Sequence, residues 1–247
     1  MQTPWRFGLI VTGEGERGFL VGLFRSLHTD ALCEFTVIRQ VGQRSPRKGH
    51  RVELRVVGGQ GRVPDKDTEQ IGLAAYRFLQ QEGGDYVILV DDLEYGRSDQ
   101  AAEVYGRYRA ALDSVLGSGS TGLTAHASVH FLVMMLEAYY LADPEAVNAT
   151  LGTSLAKHAG DVEQIRNPKG RMKQLYPGFD EVADGKELVK ALCLDRILAD
   201  ASTCASLRTL VDWCLTAMRV DPSDRYQLRD GRRSDITSSQ TDQVRQA

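Results

Sequence analysis

Five consecutive apolar residues, Tyr86 to Val90, end directly at Asp91 and Asp92. A strand with one wet face alternates apolar and polar side chains, whereas a continuous apolar run of this length is typical of a strand buried on both faces. Such strands occur in parallel sheets whose two faces are covered by helices. This segment therefore predicts an α/β fold with a mostly parallel sheet flanked by helices.

Strand and helix patterns alternate along the first part of the chain. Short apolar runs at residues 7–11 and 128–133 predict two more strands, and Phe35 to Ile38 predicts another. Helical patterns separate these runs, and one of them predicts a helix from Ala101 to Leu116. We expect the strands at 7–11, 86–90 and 128–133 to be parallel neighbours in one sheet, in a Rossmann-like arrangement.

The character of the sequence changes near residue 145. Residues 146–220 carry helical patterns, at 187–198 and 207–218 among others, and no convincing strand. We therefore expect a helical extension packed on an α/β core of residues 1–145. Residues 221–247 are polar and charged, which predicts a flexible tail.

The composition excludes only a few classes of protein. Hydrophobic residues make up 42% and charged residues 26% of the chain, as in an ordinary globular protein, and the net charge of −3 implies no partner by itself. No apolar run approaches the roughly 18 to 20 residues of a membrane helix, and the first residues do not resemble a secretion signal. The four cysteines form no CxxC pair and no zinc spacing, which suits a reducing compartment. We expect a cytoplasmic protein.

Acidic residues follow the predicted strands at their carboxyl ends. They are Glu14 and Glu16, then Asp91, Asp92 and Glu94, and finally Glu137. Loops leave a parallel sheet at one edge, so these carboxylates are expected to converge there. Carboxylates without basic partners repel one another, and a hard cation such as Mg²⁺ or Mn²⁺ relieves that repulsion. The alternative is that these acids only cap helices and turns.

The glycines at Gly13, Gly15 and Gly18 have the spacing of a dinucleotide-binding loop. Two of the intervening positions are glutamates, which would face a pyrophosphate group and repel it. The segment is therefore not interpreted as a nucleotide site.

Four segments carry a resemblance to a known family: GLIVTGEGERGFL, YVILVDDLE, HFLVMMLEAYYLADPEAV and EQIRNPKGRMKQL. Together they resemble the bacterial family catalogued as domain of unknown function 4276, over roughly residues 6 to 215. That family looks like a branch of the Toprim-like superfamily, the metal-binding fold of topoisomerases, primases and OLD-type nucleases. The resemblance implies a Toprim-like nuclease. By analogy with OLD-type systems it also implies a partner ATPase and a role in defence against phage.

The resemblance also assigns site residues. Toprim-like proteins carry a Glu in a V-E-G turn after the first strand and a D-x-D motif after a later one. Asp92 and Glu94 match the D-x-D spacing, and Glu16 matches the second acidic position of the first motif. Thr12 stands where the V-E-G turn has its Glu. Either Glu14 takes over that role or the site is weakened or inactive.

A stretch rich in basic residues lies between Arg39 and Lys66. Local positive charge of this kind neutralises phosphates in nucleic-acid binding, although a solvated loop is an equal alternative. The residues predicted to contact nucleic acid are Arg44, Arg47, Lys48 and Arg51, joined by Lys169 and Arg171.

Two hypotheses follow. The first is a Mg²⁺- or Mn²⁺-dependent nuclease in which Glu14 or Glu16, with Asp91, Asp92 and Glu94, holds the metal. The second is a catalytically silent binding or adaptor module of the same fold, which Thr12 favours. The oligomeric state is left open.

Overall fold

The computed structural model describes residues 4–27, 33–46, 64–117 and 122–220. Within these ranges four strands form one sheet: β1 (Trp5–Val11), β2 (Cys33–Gln40), β3 (Tyr86–Leu93) and β4 (Ala127–Val133). Their order is β2-β1-β3-β4, and every neighbouring pair is parallel. The prediction of a parallel α/β sheet is confirmed.

The strand β3 continues through the two aspartates instead of ending before them. Asp91 pairs in register with Phe131 and Asp92 with Leu132, so β4 supplies the hydrogen bonds that keep this segment extended. Both aspartates therefore have strand geometry, which determines where their side chains point.

The described part of the chain contains nine α-helices. They are α1 (Glu14–Leu23), α2 (Leu73–Leu79), α3 (Ala101–Leu116), α4 (Leu136–Ala142), α5 (Pro144–Leu151), α6 (Pro168–Leu175), α7 (Ala183–Ala191), α8 (Leu194–Ile197) and α9 (Ala205–Ala217). A π-helical segment, Thr68–Gly72, leads into α2, and short 3-10 segments occur at Phe24–Ser26, Tyr95–Gln100, Leu123–His126 and Val162–Gln164. No helix in these ranges has the length and hydropathy to cross a membrane.

Successive side chains of each strand enter different cores, because side chains alternate between the two faces of a sheet. In β3, Ile88 and Val90 join one core with α1, α4 and the helices of the extension, whereas Val87 and Leu89 join the other core with α2 and α3. Both faces of the sheet are therefore covered, as the continuous apolar run requires.

The extension forms most of one of these layers. Trp213 of α9 is fully buried and contacts the rings of Phe7 and Tyr86 edge to face. Residues 146–220 thus share a hydrophobic core with the sheet. The helical pattern at 187–198 corresponds to two helices, α7 and α8, which are separated where the Cys193 backbone N–H donates to Asp143 Oδ2 at 2.9 Å.

The topology identifies one crevice at the carboxyl edge of the sheet. After β1 the chain forms α1 on one face, and after β3 it forms α3 on the opposite face. The connections therefore diverge between β1 and β3, which are adjacent in the sheet. In open α/β sheets ligands bind at such a switch point.

Candidate metal centre

A cavity of about 810 Å³ opens at the carboxyl ends of β1, β3 and β4. Its wall comes from the β1–α1 turn, the end of β3, the start of α4 and residues of α6 and α7. The charged groups among its described lining residues are Glu14, Glu16, Asp92, Glu94, Glu137, Glu181, Lys169 and Lys186. Carboxylates outnumber ammonium groups six to two, so the described wall of the cavity is strongly acidic.

Glu16 is the buried carboxylate of the first turn of α1. It lies in the first turn of α1 and is only 2% exposed. Its Oε2 is buried and accepts no hydrogen bond. The side chain folds back over Gly13, where a Cβ atom would overlap Oε2. Gly13 has ordinary extended backbone angles, so its glycine is needed for space and not for conformational freedom.

Asp92 meets Glu16 from the end of β3. Its Oδ1 is also buried without a hydrogen-bond partner. Burial raises the pKa of Asp92 well above its ordinary value, and contact with the Glu16 carboxyl, with the charges of Glu137 and Asp91, raises it further. Two carboxyl groups are therefore close enough to act on each other, and each has a buried oxygen without a hydrogen-bond partner. This pair is the central feature of the site.

Asp91 faces the other side of the sheet, because it precedes Asp92 by one strand position. Its Oδ1 accepts from Thr12 Oγ1 at 2.6 Å, and its Oδ2 accepts from Tyr108 at 2.9 Å and from Arg97 at 3.0 Å. The Asp91 side chain is fully buried and paired with Arg97. The sequence predicts Asp91 as a metal ligand, but in the structure its side chain points away from the cavity and both its oxygens accept hydrogen bonds.

Glu137 approaches the pair from a tight turn after β4. Met134 and Met135 have positive φ angles of 60° and 68°, which is uncommon for residues other than glycine and costs on the order of 1–3 kcal/mol each. The turn starts α4 at the cavity wall with Glu137 in its first turn. Burial raises the pKa of Glu137, and the charges of Glu181 and Glu16 act in the same direction, against Lys169.

Glu14 and Glu94 lie at the rim. Both line the cavity and both are exposed to solvent, unlike Glu16. Between the two candidate glutamates of the first turn, the structure therefore gives the interior position to Glu16. The D-x-D spacing places Asp92 inside and Glu94 at the mouth.

Two lysines form the cationic part of the wall. Asn167 caps α6 by accepting from the Gly170 backbone N–H at 2.8 Å, which sets Lys169 in the first turn facing the cavity. Its Nζ lies 2.8 Å from Glu181 Oε2. Burial lowers the pKa of Lys169, but the hydrogen bond to Glu181 and the charges of Glu137 and Glu94 outweigh it and raise the pKa overall. Lys186 of α7 is exposed at the same wall.

The predicted nucleic-acid contacts are placed very differently from one another. Arg44 is 9% exposed, and its guanidinium donates to Asp67, Gln70 and the Gly42 carbonyl. These partners hold it inside the protein, so it presents no free cation to a phosphate.

The remaining predicted contacts divide into two groups. Arg47, Lys48 and Arg51 lie outside the described residues. Arg171 is exposed, but it lines a separate cavity of about 280 Å³ with Lys157 and His158. Of the six predicted contacts, Lys169 alone is a described residue of the acidic cavity's wall.

Sequence reasoning missed several residues of the cavity. Tyr140 is nearly buried, lines the cavity and has its pKa raised by burial and then by Glu137, Asp92 and Glu16. Its position three residues after Glu137 on one helix was a signal for this proximity. Glu181 and Lys186 had no such signal, because only the docking of α7 brings them to the sheet edge.

The arrangement is incomplete as a metal cage. Among the residues that the structure describes, no three His, Cys, Asp or Glu side chains are already grouped to hold an ion. What exists is a close pair, Glu16 and Asp92, with Glu137 near enough to act on both electrostatically.

The fold and the site define a parallel α/β protein with a pair of neighbouring carboxyl groups, Glu16 and Asp92, at its topological switch point. Comparison with models of known families, with curated proteins and with solved structures finds no match for this chain. The chemistry of the cavity therefore rests on its own residues.

Proposed function

We propose that this protein hydrolyses nucleic-acid phosphodiesters with Mg²⁺ or Mn²⁺ held by Glu16 and Asp92. The observation that carries the proposal is the proximity of these two carboxyl groups in the cavity, each with one buried oxygen that has no hydrogen-bond partner. Buried carboxylates are costly unless they are paired or bind a metal. A divalent cation is the ligand that removes this cost at both groups together.

The number of ligands is compatible with magnesium. This ion usually keeps several waters and takes one or two protein carboxylates together with substrate phosphates. A pair of carboxylates is therefore sufficient without a preformed third ligand. When bound, such an ion stabilises charge on a phosphoryl group and increases the acidity of a bound water.

The other residues of the cavity suit the same reaction. Lys169 and Lys186 would bind the non-bridging oxygens of a phosphate. Glu137, whose raised pKa favours proton uptake, would accept the proton of an attacking water at a carboxylate oxygen. The resemblance to Toprim-like proteins supports the assignment, because Glu16 and Asp92 both lie in the matching motifs.

A binding module without catalysis is the second candidate. It is favoured by the absence of a preassembled three-ligand group in the described ranges and by Thr12, which is hydrogen-bonded to Asp91. Such a module would recognise its partner without divalent cations.

Thermal unfolding with and without Mn²⁺ separates these candidates. At about 100 times the dissociation constant, Mn²⁺ should stabilise the wild type by ~2.7 kcal/mol. We expect Asp92→Asn to be at least as stable as the wild type without metal, because asparagine resembles the protonated carboxyl that burial favours at this position, and to lose most of the Mn²⁺ gain. It should also lose Mn²⁺-dependent cleavage of a labelled oligonucleotide. Glu103→Gln, an exposed change on α3, should behave as the wild type.

Two outcomes would favour the binding module. One is an unchanged melting temperature of the wild type in Mn²⁺. The other is a metal-free Asp92→Asn protein that is less stable than the wild type, as expected if Asp92 were a structural cap.

A further inference from the structure

An exposed aromatic ring lies close in sequence to the wall of the acidic cavity. Tyr95 follows Glu94, a lining residue of the cavity, and 48% of its surface is exposed. The guanidinium carbon of Arg166 lies 4.8 Å from the centroid of its ring. Arg166 is itself exposed and precedes Lys169, another lining residue, by three positions. The contact therefore joins two chain segments that each continue into the cavity wall.

Part of the surface of Tyr95 and Arg166 remains open to a ligand despite their contact. A guanidinium over an aromatic ring is a favourable cation–π pair, so it orients both groups. Nearly half of Tyr95 nevertheless remains open to solvent. Among the described ranges Arg166 has no carboxylate within ion-pair distance. A flat, oriented ring and a planar cation are thus both available to a ligand that enters the cavity.

We propose that Tyr95, with Arg166 on one face of its ring, forms a stacking platform for an unpaired nucleobase. The inference rests on the proposed function, in which a phosphate of the same strand enters the cavity. Bases stack on aromatic rings and on arginine in a sequence-tolerant way, because every base has a π face. Inside a duplex those faces are covered by neighbouring base pairs. The stacking platform therefore selects single-stranded or locally unpaired nucleic acid.

The test compares a short oligothymidylate with an abasic oligonucleotide of the same length and charge. Binding is measured by fluorescence anisotropy in Ca²⁺, with intact oligonucleotide verified by electrophoresis. The wild type should bind the thymidylate more tightly by about 5- to 150-fold, the range that corresponds to stacking of one base. Tyr95→Ala should lose this preference while its affinity for the abasic strand and its salt dependence stay unchanged.

Matched variants separate stacking from other causes. Tyr95→Trp should retain the preference, whereas Arg166→Lys should keep the charge and lose part of it. Tyr76→Ala removes a ring of similar exposure, 38%, from α2 and should leave both affinities at the wild-type values.

Three results would overturn the stacking platform. They are a wild type that binds both oligonucleotides equally, a Tyr95→Ala protein that keeps the preference, and equal losses on both strands. The last result would indicate a docking surface for a protein or a general rim defect. These outcomes are independent of the Mn²⁺ melting experiment, so the stacking platform can fail while the metal-dependent function stands.

Discussion

Single residues in the acidic cavity are constrained by space as much as by charge. Gly13 leaves room for the Glu16 carboxyl, whereas a Cβ atom on nearby Gly15 would meet nothing within 4 Å. Thr12 lines the cavity, but its hydroxyl donates to Asp91 on the other side of the sheet at 2.6 Å. Neighbours in sequence therefore have different roles: Glu16 and Asp92 form the carboxyl pair of the cavity, whereas Thr12 and Asp91 bind each other.

Gly13→Ala tests this spatial constraint. The new methyl group should displace the Glu16 carboxyl and remove most of the ~2.7 kcal/mol of stabilisation expected from near-saturating Mn²⁺. Because the clash is with the movable end of the Glu16 side chain, the metal-free protein should lose less stability than the roughly 1–3 kcal/mol of overpacking in a rigid core. Gly15→Ala is the matched control and should retain the Mn²⁺ gain. Both are measured by thermal unfolding, and undiminished Mn²⁺ stabilisation in Gly13→Ala would contradict the role given to Gly13.

Among the secondary-structure elements, helix α1 shows how one helix can have two kinds of glycine. Gly18 faces the cavity, and a Cβ atom there would have open space around it. Gly22 faces α7, where a Cβ atom would lie 2.7 Å from Val189 Cγ1. Gly18 destabilises α1, because a glycine loses more backbone entropy in a helix than other residues do. Gly22 allows α1 and α7 to approach closely.

The same substitution should therefore have opposite effects at these two positions. Gly18→Ala should raise the free energy of unfolding by about 0.5–1 kcal/mol, because alanine loses less backbone entropy in a helix. Gly22→Ala should lower it by about 1–3 kcal/mol through collision with Val189. Urea unfolding of both variants measures the difference. Shifts of the same sign would mean that α1 and α7 are not packed as described.

On the scale of the whole molecule, the sheet and the helical extension are joined by buried polar contacts as well as by the core. Glu163 accepts from the Tyr139 hydroxyl of α4 at 2.9 Å and from the Ser206 backbone N–H of α9 at 3.1 Å. Burial raises its pKa from the ordinary 4.5 to about 7, and the charge of Asp161 adds to this, against the hydrogen bonds from Tyr139 and α9.

This raised pKa predicts the pH dependence of global stability. Between pH 4.5 and about 7 the folded protein retains a proton on Glu163 that the unfolded chain has lost. The free energy of unfolding should therefore fall as pH rises through this window, by up to about 3 kcal/mol from this group. Glu163→Gln, which resembles the protonated form, should flatten the dependence, whereas Glu103→Gln should not. Metal-free urea titrations at several pH values measure it, and equal slopes for all three proteins would contradict it.

The layered architecture could be predicted from the amino-acid sequence alone. The apolar run from Tyr86 to Val90 has no polar face, so it required cover on both sides, and the parallel sheet followed from that requirement. Local periodicity also predicted α3 with its observed bounds, because Ala101–Leu116 repeats apolar residues at helical spacing. These features depend on residues that are close to one another along the chain, so they can be recognised in the sequence alone.

Which acidic residues form the site depends on the packing of segments that are distant in the sequence. Asp91 and Asp92 are adjacent and chemically identical, yet the pleat of β3 sends one to Arg97 and Tyr108 and the other to Glu16. The same holds for Arg44, whose burial against Asp67 depends on a contact across 23 positions. The spacing of residues in the sequence predicts which of them lie near the carboxyl edge of the sheet. The direction of each side chain and the partner that it meets are set by strand register and by the packing of distant helices.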